Sequence, residues 1–118
     1  MHYVSITGFR VRSPWHLPGF FWHAVRSMRQ AQAADGNIFA EAQRIEGVFH
    51  TLSVWRDRKA MLAYLTAGAH RKAMAASANL GAGYAFGFEG DLVPDWAEVH
   101  ALWLEEGARR TDARQTAA

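Results

Sequence analysis

The chain has 118 residues, half of them hydrophobic and a fifth charged, the size and balance of one globular domain rather than a disordered segment. It has no cysteine, which excludes disulfides, thiolate-ligated zinc, iron–sulfur clusters and a thiolate nucleophile, and makes a reducing cytoplasm the expected compartment. No apolar run approaches the roughly 18 residues of a membrane helix, and no basic-then-apolar leader opens the chain, so no membrane partner is expected.

The net charge of +2 is small, but it is unevenly spread. Residues 1–34 carry Arg10, Arg12, Arg26 and Arg29 and no acid, whereas Glu89, Asp91, Asp95, Glu98, Glu105 and Glu106 form a block free of lysine and arginine. Arg56, Arg58, Lys59, Arg71 and Lys72 form a second basic group. It reads as the solvated rim of helices rather than a nucleic-acid patch, so no nucleic acid is expected as partner.

In chain order, Tyr3 to Arg12 alternates as a first strand, and Pro14 and Pro18 punctuate its end. From Gly19 to Ala34, the apolar positions Phe21, Ala24, Val25, Met28 and Ala31 recur at helical spacing, until Asp35-Gly36-Asn37 signals a turn. Runs Ile38 to Ile45 and Val48 to Trp55 flank Glu46-Gly47, the pattern of a tight hairpin. In the second run Val48, His50, Leu52 and Val54 share one face, and Phe49, Thr51, Ser53 and Trp55 the other. Asp57 is placed to cap a helix carrying Ala60, Met61, Tyr64 and Leu65 inward, interrupted at Gly68, with further helical turns from about His70 to Ala78. Gly83 to Phe88 is the fourth strand, with Tyr84, Phe86 and Phe88 together. Asp95-x-x-Glu98 opens a final helix to about Arg110 that buries Trp96, Val99, Leu102 and Trp103. Residues 1–110 form a single domain, and 111–118 read as a flexible tail.

The order is β-α-β-β-α-β with an extra C-terminal helix, the plan of an α+β fold with a ferredoxin-like antiparallel sheet. Two helices cover one face of such a sheet, yet the strands are apolar on both. Each large side chain left wet forfeits about 1.5–3 kcal/mol. A second copy supplying a partner sheet is the expected cover, and hence a homodimer.

The run Phe49-His50-Thr51-Leu52-Ser53-Val54-Trp55-Arg56-Asp57, then Ala60-Met61-Leu62-Ala63-Tyr64 and Gly68-Ala69-His70-Arg71-Lys72-Ala73-Met74, resembles the corresponding stretch of the antibiotic-biosynthesis-monooxygenase-like proteins, including relatives near the spheroidene monooxygenases. The resemblance implies a dimeric α/β barrel with an apolar pocket between sheet and helices in each domain. It also implies monooxygenase-like chemistry on a small apolar or aromatic molecule. The same barrel hosts cofactor-free oxygenases, haem enzymes, isomerases and proteins without known chemistry, so a binding or structural dimer is the alternative. Haem-degrading relatives place a tryptophan and, ten residues on, a ligating histidine where Tyr64 and Met74 stand here, which argues against haem degradation. The expectation is therefore no cofactor, with haem on the Met74 thioether or on His70 as the alternative.

Among candidate site residues His50 stands first. A mid-strand imidazole among valines and leucines has a lowered pKa and stays neutral, which suits a general base toward a phenolic or enolic substrate. The competing reading is a core or interface histidine bonded to a backbone carbonyl. His70 and Tyr64 are candidates to orient a ligand. Trp22, Trp55, Phe21, Met61 and Met74 are candidate pocket walls. His16 and His23 make a weak two-histidine metal site without an acidic third ligand nearby, and no metal is expected.

Overall fold

The computed structural model describes residues 1–68, 72 and 80–117, the side chains of 114–117 aside. Strand β1 (His2–Val11) leads through a 3-10 turn (Pro14–His16) into helix α1 (Leu17–Ala33). Strands β2 (Asn37–Ile45) and β3 (Val48–Trp55) follow, then α2 (Arg58–Leu65), β4 (Gly81–Gly90) and α3 (Trp96–Ala117). The sheet order is β2-β3-β1-β4 with every neighbouring pair antiparallel. This is the ferredoxin-like arrangement expected from the element order. The helical turns expected over His70 to Ala78 lie outside the described residues, His70 and Met74 among them.

Local chemistry accounts for the boundaries. The β2–β3 link is two residues long, and both Glu46 (φ 49°) and Gly47 (φ 78°) lie in the left-handed region that a tight hairpin requires. Asp57 caps α2, its carboxylate accepting from the Ala60 N–H at 2.8 Å, and Asp95 does the same for α3 through the Glu98 N–H at 2.8 Å. Helix α1 starts at Leu17, earlier than expected, because Pro18 sits in the first turn, where its missing N–H has no intrahelical role. Helix α3 continues past Arg110 to Ala117, through the stretch read as tail. Glu106 accepts from Arg109 (3.1 Å) and Arg110 (3.5 Å), and Thr111 donates to the Gly107 carbonyl (3.1 Å).

Strand alternation sorts the side chains into two cores. Trp55, Ala40, Ala31, Ala60 and Met61 are buried on the face covered by α1 and α2. On the opposite face Val4, Ile6, Val48, Leu52 and Val54 are buried with Val99 and Trp103 of α3. A Cβ on Gly8 would run into the Trp103 indole, so the absence of a side chain there is what lets α3 lie flat on β1. A lone copy therefore shields both faces of its central strands. The premise that only a second copy could cover the α3 face is corrected here, because α3 does so itself.

In α1 the inward stripe is rotated from the expected one. Ser27 and Ala31 are buried and Phe20 reaches the sheet aromatics, whereas Phe21 and Val25 are each 48% exposed.

Candidate functional site

The face beneath α1 and α2 has bulky ends and a small centre. At one end Phe20 stacks on Phe9 (5.4 Å between ring centroids) and lies 4.6 Å from Phe49, with Phe21 edge-on to Phe49 at 5.5 Å. At the other end buried Trp55 stacks on Tyr64 at 5.1 Å, and Trp55 Nε1 donates to Ser53 Oγ at 2.8 Å. Between them the strands contribute Ser5, Thr7, Thr51, Ser53, Ala42 and Ala85, none larger than threonine. The Thr7 and Thr51 hydroxyls are hydrogen-bonded to each other across β1 and β3. On α1 the Ser27 carbonyl accepts from the Tyr64 hydroxyl at 3.1 Å, while the buried Ser27 Oγ has no hydrogen-bond partner among the described residues. Such an orphan costs about 1–3 kcal/mol unless a guest satisfies it. Burial pushes the Tyr64 phenol up to about 12, so it stays protonated and acts only as a neutral donor or acceptor.

The opposite face carries a different constellation. His50 is fully buried, its Nδ1 2.9 Å from the Thr7 carbonyl and its Nε2 2.8 Å from His100 Nδ1. His100 Nε2 in turn lies 3.1 Å from the exposed Glu46 carboxylate at the hairpin turn. Burial lowers the His50 pKa below its ordinary value. The Thr7 carbonyl opposes that shift, and His100 and Arg10 reinforce it. The neutral ring donates from Nδ1 to Thr7 and accepts at Nε2 from His100. The Trp103 indole packs edge-on to His50 at 5.3 Å and stacks on Tyr84 at 4.4 Å.

No protein-family profile and no curated protein sequence matches the chain. Solved structures do. Rv0793 of Mycobacterium tuberculosis superposes with a TM-score of 0.72 at 14% identity, over 80% of this chain and 100% of its own. SnoaB of Streptomyces nogalater, a cofactor-independent oxygenase, matches in its N63A form at 0.66 and 15%, over 80% and 98%. A Deinococcus radiodurans protein named provisionally as an antibiotic biosynthesis monooxygenase matches at 0.69 and 16%, over 79% and 96%. The fold is that of the antibiotic-biosynthesis-monooxygenase-like proteins.

On this fold the sequence candidates separate. Trp55, Tyr64 and Met61 meet under α2, Phe21 lies at the aromatic end of the same face, and Trp22 is 63% exposed on the outer side of α1, away from the sheet. His50 lies on the other side of the sheet from Tyr64 and Trp55, since positions 50 and 55 of one strand differ in parity. The expected single pocket uniting His50 with these walls is not what the described residues form. His100, Glu46, Ser27, Thr7 and Thr51 escaped the sequence reading. His100 was detectable, because it completes the 96, 99, 100, 103 apolar spacing of α3. The expectation of no metal concerned His16 and His23. His16 Nδ1 lies 2.7 Å from the Ser13 hydroxyl, and the described residues hold no cluster of three metal-ligating side chains.

Proposed function

We propose that the chain is a cofactor-free, monooxygenase-like oxidoreductase that holds a small aromatic or apolar molecule between the sheet and helices α1 and α2. The observation that carries this reading is the unpartnered, buried Ser27 hydroxyl on the face where the Thr7–Thr51 pair sits between two aromatic groups. A flat substrate lies over small side chains, with Phe9, Phe20 and Phe49 at one edge and Trp55 and Tyr64 at the other. The hydroxyls donate to a phenolate or enolate oxygen, which stabilises the ionised form that dioxygen attacks. In the overall step a methylene carbon loses two hydrogens, gains one oxygen atom as a carbonyl, and the second oxygen atom leaves as water. His50 is not given the proton abstraction, because both its ring nitrogens are engaged on the far face. The base is assigned to His70, which follows α2 in the chain within the motif of the resemblance.

The reading is tested by following dioxygen uptake, and incorporation of labelled oxygen, with a panel of polycyclic phenols and hydroquinones. Turnover without any Soret absorbance, lost in His70→Ala and reduced at least tenfold in Thr7→Val, supports it. Wild-type protein that binds these molecules without consuming dioxygen overturns it in favour of a second reading, a ligand-binding module of the same fold. One observation favours that alternative: the cluster buried under α1 and α2, Ala31, Ala40, Trp55, Ala60 and Met61, contains no imidazole or carboxylate base.

A further inference from the structure

Helix α1 and the turn before it present an outer stripe that the fold does not use. Trp15, Pro18, Trp22, Val25, Arg26 and Arg29 recur at helical spacing, and all are exposed. Trp15 is 90% and Trp22 63% exposed, far beyond Trp55 and Trp103, which the two cores bury. The Arg26 guanidinium lies 5.4 Å over the Trp22 ring, so charge and indole sit side by side on the stripe. No acidic residue occurs from Met1 to Ala34, so this surface carries unopposed positive charge along its own element.

We propose that this stripe docks the protein on an anionic lipid bilayer, with Trp15 and Trp22 entering the headgroup region and Arg26 and Arg29 meeting lipid phosphates. Three physical arguments select that occupant. Indole rings combine an apolar body with an N–H donor and partition to the membrane–water boundary. Basic side chains beside them add attraction to a negative surface, the pattern of an interfacial amphipathic helix. A symmetric contact between two copies of the stripe would set Arg26 and Arg29 against their own counterparts, which disfavours a second copy as cover. The expectation of no membrane partner rested on the lack of a spanning run. Among the described residues no helix is long and apolar enough to cross a bilayer, and surface docking requires none.

The experiment is co-sedimentation of the intact chain with vesicles of phosphatidylcholine alone or with 30% phosphatidylglycerol, about a third of the lipid anionic. Binding to the anionic vesicles that falls about tenfold or more in Arg26→Glu/Arg29→Glu and in Trp15→Ala/Trp22→Ala, and weakens steeply with salt, is the expected result. Each variant is checked by circular dichroism, and these exposed substitutions leave the fold intact. Equal binding to both vesicle types, no binding to either, or a dimer in sedimentation that Trp22→Ala dissolves would each overturn the proposal.

Discussion

His50 of the sheet and His100 of α3 meet nitrogen to nitrogen at 2.8 Å, and this contact joins two elements that sequence separates by 50 positions. A single N–H···N bond forms only while one facing nitrogen is unprotonated. In the unfolded chain His50 takes up a proton near its ordinary value of 6.5, whereas in the fold burial delays that uptake to lower pH. Between those two pH values the unfolded state binds more protons, so this contribution to stability is complete above about 6.5 and drains away as pH falls. Thermal melts should show a Tm that declines from pH 7.5 to 5.5, with a shallower decline in His50→Asn. Equal declines in the two proteins would remove His50 from the account.

Trp103 lies where a side chain on Gly8 would stand, and it donates through Nε1 to the Tyr84 carbonyl at 3.1 Å. Trp103→Ala is expected to cost about 3–5 kcal/mol in urea unfolding, the range for emptying an aromatic core site. Gly8→Ala should cost about 1–3 kcal/mol for the opposite reason, because the added methyl displaces the indole. A neutral Gly8→Ala would mean that α3 does not rest on β1 in solution.

The Ser27 hydroxyl gives a prediction of opposite sign. Removing a buried, unpartnered polar atom relieves a cost, and alanine is the better helix former. Ser27→Ala should therefore be as stable as wild type or more so in calorimetry, while binding the aromatic ligands of the proposed site more weakly. A loss of stability would show that the hydroxyl is satisfied in the fold.

How far the sequence led depends on the scale of the question. Periodicity and turn chemistry disclosed the element order, the Glu46-Gly47 hairpin and the Asp57 and Asp95 caps, because each rests on neighbours within a few residues. The inward stripe of α1 was misplaced by one position in part, since Phe20, Phe21 and Trp22 are consecutive aromatics and only packing decides which turns in. The His50–His100 contact was hidden because its partners come from distant segments. Its cue, a histidine at an apolar helical position, resembles an ordinary amphipathic pattern. Trp55 and Tyr64 were each singled out from the sequence, but their stacking was not, because it joins a strand to the following helix through packing.

Shortening the chain after Asp95 removes the cover from Val4, Ile6, Leu52 and Val54. The truncated protein should associate or precipitate at micromolar concentration, and analytical ultracentrifugation against the full chain reads the difference. A monomeric, folded truncation would show that α3 contributes little to shielding that face.

The position of α3 also shapes how the protein is made. All four strands precede it, so they leave the ribosome before the helix that hides half of their oily surface. The nascent domain thus passes through an interval of stickiness that holding chaperones would shorten.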